Sequence, residues 1–276
     1  MKKFYIVMNT IKDQDLKFTN EIKNYIELAG GECVLCKKDE SGHIIPGTIP
    51  ADADCAIVLG GDGTVIQTAG ELSSVGFPIL GVNLGTLGYL AEIEINDAKK
   101  ELQRLVHSTP VVERRMMLRG AVNQACEKLA INDVVISREG SLRVIHFNVY
   151  VNGALLNSYQ ADGVIISTPT GSTGYNLSAG GPIVEPTAEM IVLTPICSHA
   201  LNTSSIVLAA DDVIEVEIAE GRDGKEKAAV SFDGEEMCLL TTGDKVCVRR
   251  AQETTGFVKL SEESFLKTLR RKMKGN

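Results

Sequence analysis

The chain has 276 residues, of which 44% are hydrophobic and 23% are charged, and its formal net charge is −8. These values are typical of a globular protein and exclude intrinsic disorder and collagen-like repeats, and the length is sufficient for two domains. The negative charge argues against nucleic acid as the main partner, because binding to a polyanionic backbone needs clustered Lys and Arg. A single nucleotide stays possible, since backbone N–H groups and helix N-termini bind phosphate whatever the net charge is.

The location of the protein is predicted from its apolar runs and its cysteines. No run approaches the ~20 apolar residues of a membrane helix, and the first ten residues do not form a signal peptide. Seven cysteines, an odd number scattered along the chain, favour reduced thiols. Cys33 and Cys36 form a C-x-x-C pair, but the apolar Val34-Leu35 between them favours a strand over a metal site. We therefore expect a cytoplasmic protein without a membrane partner.

Strand and helix patterns alternate in the first third of the chain. Apolar positions recur with helical spacing from Phe18 to Ala29, and Gly30-Gly31 follows as a stop signal. A second helix is predicted over residues 64–72, and strands are predicted over residues 4–8, 32–37, 55–59 and 78–82. Apolar strands that alternate with helices predict an α/β domain with a parallel, Rossmann-like sheet. We expect this domain to comprise residues 1–109.

Beyond about Pro110 the helical spacing disappears and short strands with turn signals replace it. Strands are predicted over residues 130–137, 144–151, 163–167, 206–219 and 245–249, and Asn152-Gly153 marks a turn. We expect residues 110–255 to form an all-β domain. Residues 256–276 are predicted to contain a last helix, which Ser261 caps and which has Glu262 and Glu263 in its first turn. We expect this helix to pack back on the N-terminal domain through an apolar stripe.

The sharpest local feature is Gly60-Gly61-Asp62-Gly63-Thr64, between an apolar strand and a helix. Glycines let backbone N–H groups approach a ligand, and the helix N-terminus favours phosphate there. The loop lacks the Gly-Lys-Ser/Thr of a Walker A motif and the last glycine of a G-x-G-x-x-G motif. Asp62 would repel phosphate unless it holds a divalent cation or accepts the proton of an attacking hydroxyl. An ordinary turn, with Asp bonded to its own backbone, is the alternative.

A second dense stretch covers residues 168–182, TPTGSTGYNLSAGGP. Its glycines, hydroxyl groups and one aromatic ring are suited to surround a polar, planar ligand, although such clusters are also typical of a long polar turn. Asn132-Asp133 offers an amide and a carboxylate suited to ribose hydroxyls, or forms a turn or cap at the edge of a strand.

These motifs occur together, and in this order, in one known family: the sequence resembles the bacterial NAD kinases over nearly its whole length. The resemblance is carried by the Gly60–Thr64 loop, by residues 81–90 (GVNLGTLGYL), by Asn132-Asp133, by Asp162-Gly163 and by residues 168–182. These enzymes transfer the terminal phosphoryl group of ATP, or of polyphosphate in some members, to the 2′-hydroxyl of the adenosine ribose of NAD. The first motif also occurs in diacylglycerol- and sphingosine-type lipid kinases, whereas the stretch 168–182 is far more specific.

The resemblance implies a set of site residues. It makes Asp62 the general base, in a nucleotide-binding loop formed with Gly60, Gly61, Gly63 and Thr64. It implies contacts with the dinucleotide from Asn132, Asp133, Thr173, Gly174, Tyr175, Asn176, Leu177 and Ser178. It also implies contacts from Arg143, Gln160 and Asp162, of which Arg143 could equally be a solvated strand charge and Gln160 an edge polar group.

The resemblance further implies the substrates ATP and NAD, a divalent cation such as Mg²⁺ without a dedicated metal site in the protein, and a homodimer or homotetramer in which a neighbouring subunit completes the NAD site. The chain departs from the family pattern at Asp133, Gly174 and Glu235, where Glu, Ala and Gln are common. Two other interpretations remain at this point: a lipid kinase of the related type, and a NAD-binding sensor without turnover. The choice between ATP and polyphosphate as donor, and between NAD and NADH as acceptor, is left open by the sequence.

Overall fold

The computed structural model describes residues 1–85, 88–140, 143–199, 204–221, 224–260 and 264–274, without the side chains of residues 126, 236 and 237. The described chain divides into two compact units. The first comprises Met1–Arg114 together with Glu253–Asn276, and the second comprises Arg115–Gln252.

The helices and strands follow one another along the chain in three groups. The first group consists of β1 (Lys3–Met8), α1 (Lys17–Leu28), β2 (Glu32–Leu35), β3 (Cys55–Gly60), α2 (Asp62–Glu71), β4 (Ile79–Asn83), β5 (Ala91–Glu94) and α3 (Ala98–His107). The second group consists of β6 (Val111–Val122), β7 (Ala125–Ala130), β8 (Asp133–Arg138), β9 (Ile145–Val151), β10 (Ala154–Ala161), β11 (Gly163–Ser167), α4 (Tyr175–Ser178), β12 (Met190–Ile196), β13 (Ile206–Ala209), β14 (Ile214–Ile218), β15 (Lys227–Phe232), β16 (Glu235–Thr241) and β17 (Lys245–Lys259). The helix α5 (Phe265–Met273) follows, and short 3₁₀ helices cover Pro46–Thr48, Ile95–Asp97 and Gly171–Thr173.

A parallel sheet forms the centre of the first unit. Its strand order is β2-β1-β3-β4, and the C-terminal part of β17 adds to β4 in parallel through the pair Phe257 and Ile79. All residues of β3 and β4 are buried, as expected for strands that are covered on both faces. On one face, side chains of β1, β3 and β4 pack against Ile22 and Ile26 of α1 and Leu102 and Leu105 of α3. The predicted α/β fold is confirmed.

Helix α3 is an element that the sequence analysis did not predict. Its sequence, AKKELQRLVH, is mostly charged or polar, so that no apolar run marks it. Its four buried residues, Ala98, Leu102, Leu105 and Val106, are nevertheless spaced i, i+4, i+7 and i+8. This spacing is one face of a helix and is the signal that could have identified α3.

The second unit is built from antiparallel strands, as predicted. One sheet has the order β13-β12-β11-β8-β15-β16, and the strands β10-β9-β14-β17 and the hairpin β6-β7 form the other antiparallel pairings. Val134 and Ile136 of β8 and Phe147 and Val149 of β9 belong to one buried cluster. The core of this unit therefore lies between its two layers of strands.

Several details differ from the sequence predictions. The strand predicted over residues 206–219 is two strands, β13 and β14, because Asp212 accepts a hydrogen bond from the backbone N–H of Ala209 in the turn between them. Helix α5 begins at Phe265, and the hydroxyl of Ser264 caps it by accepting from the N–H of Lys267. The predicted cap at Ser261 and the acidic residues after it lie outside the described residues. Within the part of the chain that the structure describes, no helix combines the length and the apolarity that crossing a membrane requires.

Candidate active site

The glycine-rich loop of the first unit is the junction between β3 and α2. Gly61 is the N-cap of α2 and contributes no side-chain cap, so the first N–H groups of the helix are left for another acceptor. A Cβ on Gly60 would lie 2.5 Å from the hydroxyl oxygen of Thr64, which explains why glycine is needed at that position. The Thr64 hydroxyl itself accepts a hydrogen bond of 2.9 Å from the side-chain amide of Asn9. The loop is thus a strand-to-helix junction and not an ordinary turn.

Asp62, the residue predicted as general base, is the first residue of α2. One carboxylate oxygen accepts a hydrogen bond of 2.7 Å from the N–H of Tyr89, and the other accepts one of 3.1 Å from the N–H of Leu90. A Cβ on Gly88 would lie 1.7 Å from the carboxylate oxygen, so the carboxylate occupies the space that this glycine leaves free. Asp62 is partly exposed, and two backbone donors fix its orientation while lone pairs remain to accept a proton.

Tyr89 connects the Asp62 carboxylate to the last helix of the chain. Its ring lies 6.5 Å from the ring of Phe265, and the Lys272 ammonium lies 3.9 Å from its centroid. Burial lowers the pKa of Lys272, against the opposing effect of the negative charge of Asp62. The 81–90 motif therefore contributes the backbone that holds Asp62, although its Thr86 and Leu87 lie outside the described residues.

In the second unit, Asn132 and Asp133 lie where β8 begins, and Asp233 organises their backbone. The Asp233 carboxylate accepts hydrogen bonds from the N–H groups of Ile131, Asn132 and Asp133, at 2.7, 2.7 and 3.1 Å. Asp233 has a φ of 51° and Gly234 a φ of 78°, which is typical of the tight turn between two antiparallel strands. Asp233 is not among the site residues predicted from the sequence, although the Asp-Gly pair is a turn signal.

Asp133 is a buried acid with a raised pKa. Its residue exposure is 5%, and no described residue donates a hydrogen bond to its carboxyl group. Burial, and secondarily the charge of Asp233, raises its pKa to about 7. Burial also raises the pKa of Asp233 to about 6, but three N–H groups favour the charged form there. Asp133 is therefore the member of the pair that takes up a proton first as the pH falls.

The raised pKa of Asp133 predicts a specific dependence of stability on pH. In the unfolded chain the Asp133 carboxyl titrates near pH 4, and in the folded protein it titrates near pH 7. Its contribution to the free energy of unfolding is therefore fully present below pH 4 and is lost as the pH rises through about 7. We expect Asp133→Asn to be more stable than the unsubstituted protein at pH 8, and the difference in melting temperature to shrink towards pH 4. Asp211→Asn, at an exposed aspartate of the same unit, is the matched control. A pH-independent difference would contradict the raised pKa.

The stretch 168–182 packs directly against the strand entry at Asn132. The Thr168 hydroxyl donates to the carbonyl of Ile131 at 2.6 Å, and the Thr168 N–H donates to the carbonyl of Asn132 at 2.8 Å. A Cβ on Gly171 would lie 2.2 Å from the Asn132 carbonyl oxygen, so glycine is required for this contact. Asn132 Oδ1 and Thr170 Oγ1 are buried acceptors without a hydrogen-bond partner in the described structure, which is unusual for buried polar atoms.

Residues 173–178 form the end of the 3₁₀ helix and α4, so the stretch is not a simple polar turn. Tyr175 and Leu177 are 47% and 39% exposed, Ser178 is exposed, and Thr173 and Gly174 are half-buried. A surface of this kind presents an aromatic face, an apolar side chain and hydroxyl groups next to Asn132.

Asn176 is the exception among these residues because its side chain faces the interior. Its amide nitrogen donates to the carbonyls of Ser172 and Pro182 at 3.1 and 3.0 Å, and its amide oxygen accepts from the hydroxyl of Thr194 at 2.7 Å. A Cβ on Gly181 would lie 2.1 Å from that oxygen. The fully buried amide has no group left for a ligand, so we replace the predicted direct contact by a positioning role.

This network predicts that Asn176→Asp is strongly destabilising. The new carboxylate would place an oxygen against the two carbonyls that now accept from the amide, as an unpaired buried charge. We expect the free energy of unfolding to fall by about 3–5 kcal/mol, measured by urea denaturation. Ser178 lies two residues later and its side chain is exposed, so Ser178→Ala should change the free energy of unfolding little. A loss below 1 kcal/mol would show that the amide does not hold the loop.

The last three predicted site residues line one cavity of about 710 Å³ in the second unit: Arg143, Gln160 and Asp162. Arg143 and Gln160 are exposed there, and Asp162 forms an ion pair of 2.9 Å with Arg138. His199, which is not among the predicted site residues, also lines this cavity, and its backbone N–H donates to the Gln160 carbonyl at 3.0 Å. The structure therefore brings the predicted residues together in three groups: the loop at Asp62, the surface at Asn132, and this cavity.

Comparison with known proteins decides the family. A family model described as the ATP-NAD kinase N-terminal domain matches residues 35–109, and one described as the ATP-NAD kinase C-terminal domain matches residues 131–260. The chain belongs to the NAD kinase family. A relative from Lachnospira eligens named NAD kinase is 44% identical over 99% of this chain and all of its own length, and one from Lachnoclostridium phytofermentans is 45% identical over 99% of both chains.

Two solved structures share the fold of this chain. Yeast NADH kinase complexed with NADH superposes with a TM-score of 0.84 at 24% identity, covering 100% of this chain and 88% of the other. An NAD kinase from Archaeoglobus fulgidus in complex with ATP gives a TM-score of 0.80 at 24% identity, covering 99% and 98%. The family models and the two relatives confirm the resemblance noted in the sequence, and they show that the chain is a kinase-type phosphotransferase.

Proposed function

We propose that this NAD kinase uses Asp62 as the general base in the transfer of the terminal phosphoryl group of ATP, or of polyphosphate, to the 2′-hydroxyl of the adenosine ribose of NAD. In this reaction the ribose oxygen forms a bond to phosphorus, the bond from phosphorus to the leaving phosphate oxygen breaks, and the hydroxyl proton passes to the carboxylate. The observation that carries the proposal is the Asp62 carboxylate, which two backbone N–H groups hold at the N-terminus of α2.

The donor phosphates are proposed to lie against the Gly60–Thr64 loop. The uncapped first turn of α2 supplies N–H donors and the positive end of a helix dipole, both of which favour phosphate. Among the described residues, no group of three or more His, Cys, Asp and Glu side chains is arranged to hold a metal ion. We propose that a Mg²⁺ ion would be held mainly by phosphate oxygens of the donor and would neutralise their charge, which is a common mode of Mg²⁺ binding.

The dinucleotide is proposed to be bound by the second unit. Asn132 Oδ1 and Thr170 Oγ1 are buried without partners, and a ligand with donor groups would satisfy them. The raised pKa of Asp133 gives it a protonated form that donates a hydrogen bond to a ribose oxygen, and its charged form accepts one from a ribose hydroxyl. The exposed ring of Tyr175 offers a face for a planar base. Arg143, Gln160 and Asp162 are proposed as further contacts from the cavity that they share.

The function is tested by incubating the protein with Mg²⁺, NAD and either ATP or polyphosphate, and by detecting NADP with a strictly NADP-dependent dehydrogenase. NADH replaces NAD in a parallel set. A lipid kinase would instead phosphorylate dispersed diacylglycerol, and a sensor would bind NAD without forming product. Absence of NADP with every donor would contradict the proposal.

Two further expectations belong to this proposal. The protein is expected to act in the cytoplasm as a homodimer or homotetramer, with a neighbouring subunit completing the NAD site. Light scattering of the purified protein gives the number of subunits, and a monomer that is fully active at nanomolar concentration would contradict the shared site.

A further inference from the structure

The loop that follows β1 is fixed against the Gly60–Thr64 loop by the side chain of Asn9. The Asn9 N–H donates to the carbonyl of Leu59 at 2.9 Å, and its side-chain amide donates to the Thr64 hydroxyl at 2.9 Å. Its side-chain oxygen accepts from the N–H groups of Ile11 and Lys12 at 3.0 and 3.1 Å. Asn9 therefore ties the backbone of Lys12 to the start of α2.

The loop is also fixed on the other side of Lys12. The carboxylate of Asp13, whose exposure is 3%, accepts from the N–H groups of Phe18 and Thr19 at 3.0 and 2.8 Å and from the Thr19 hydroxyl at 2.6 Å. Burial alone would raise the pKa of Asp13, but these hydrogen bonds outweigh it and lower the pKa, so the carboxylate stays charged and bonded. Lys12 thus projects from a segment that is held at both ends.

The ammonium group of Lys12 lies beside two glycines from different loops. A Cβ on Gly61 would lie 3.3 Å from the Lys12 nitrogen, and a Cβ on Gly85 would lie 3.2 Å from it. Lys12 is exposed, and none of the residues that the structure describes forms an ion pair or a hydrogen bond with its ammonium. A cation without a partner among the described residues therefore stands next to the N-cap of α2, and the absence of side chains at Gly61 and Gly85 lets it approach both loops.

We propose that Lys12 binds the phosphates of the phosphoryl donor, in the role that a lysine inside the loop plays in other phosphate-binding loops. The Gly60–Thr64 loop contains no lysine of its own, and the transfer needs positive charge on the donor phosphates. Lys12 supplies it from a segment about fifty residues upstream, together with the N–H groups of the first turn of α2. The inference rests on the proposed function and adds to it a residue that the motifs do not include.

The test compares Lys12→Met with Lys12→Arg, and uses Lys17→Met, at an exposed lysine of the neighbouring helix start, as the matched control. Initial rates are measured at fixed Mg²⁺ with ATP and with polyphosphate, varying donor and NAD separately. We expect Lys12→Met to lower kcat/KM for the donor by about 10- to 100-fold, as for loss of one hydrogen-bonded charge, with the KM for NAD unchanged. Lys12→Arg should recover most of the loss, and the melting temperatures should agree.

Equal kcat/KM for the donor in Lys12→Met and Lys17→Met would overturn the inference, as would a loss confined to the KM for NAD. If the unsubstituted protein forms no NADP, the proposed function fails. Calorimetric titration with inorganic tripolyphosphate then tests separately whether Lys12 binds phosphate. About 10-fold weaker binding to Lys12→Met than to Lys17→Met supports the phosphate site, and equal binding overturns it.

Discussion

We expect Asp62→Asn to lower kcat by about 10²–10⁴-fold, the range that general-base assistance supplies. An amide is isosteric with the carboxylate but does not accept the hydroxyl proton. One of the two backbone N–H groups that now donate to Asp62 would face an NH₂ group, so the free energy of unfolding should fall by no more than about 1–2 kcal/mol. The measurement is the rate of NADP formation at saturating ATP and NAD.

The control for this substitution is Asp15→Asn, which makes the same chemical change at an exposed aspartate. It should leave kcat and both KM values as they are. Near-normal turnover of Asp62→Asn would remove the general-base role from Asp62 and leave it as a group that only shapes the loop.

The second large effect is expected from Gly88→Ala. The added methyl group would occupy a position 1.7 Å from the Asp62 carboxylate oxygen, so the carboxylate must leave the two N–H groups that orient it. We expect kcat to fall about as far as in Asp62→Asn. The double variant should be no slower than either single variant, because both substitutions remove the same group from its place.

Gly70→Ala provides the matched glycine control for this experiment. Gly70 is the last but one residue of α2, and a Cβ there meets no atom within 4 Å outside the backbone of its own helix. Alanine in this last turn should stabilise the protein by no more than about 1 kcal/mol, the value for a helix interior, without a change in kcat. If the fold-losses in kcat of Gly88→Ala and Asp62→Asn multiply in the double variant, the two substitutions act independently. Gly88 would then affect turnover by a route other than the position of the Asp62 carboxylate.

Much of the fold was predictable because its signals are local. Apolar runs marked β1, β3 and β4, and the Asn152-Gly153 pair marked a turn in which both residues have positive φ, 51° and 80°. The polar helix α3 and several strands of the second unit carry weak local patterns, and their place is set by partners distant in the chain. Sequence spacing alone does not report such pairing.

The candidate site shows the same division between local and distant signals. The Gly60–Thr64 loop was evident from its composition, but the N–H groups that hold Asp62 come from residues 27 and 28 positions later. Asp233 bonds Ile131 and Asn132 across about one hundred residues. Asn176 stood in a motif rich in ligand-type residues, and only the structure shows that its amide is used up within the protein.

The first unit is assembled from both ends of the described chain, with Arg115–Gln252 between its two parts. During synthesis, residues 1–114 leave the ribosome roughly 7–28 s before β17 can pair with β4, at elongation rates of ~5–20 residues per second. Until then the edge of β4 at Ile79 is open and Val258 and Leu260 are missing from the core. Until synthesis reaches β17 and α5, the sheet of the first unit is therefore incomplete, and Tyr89, whose N–H orients the Asp62 carboxylate, lacks its contacts with α5.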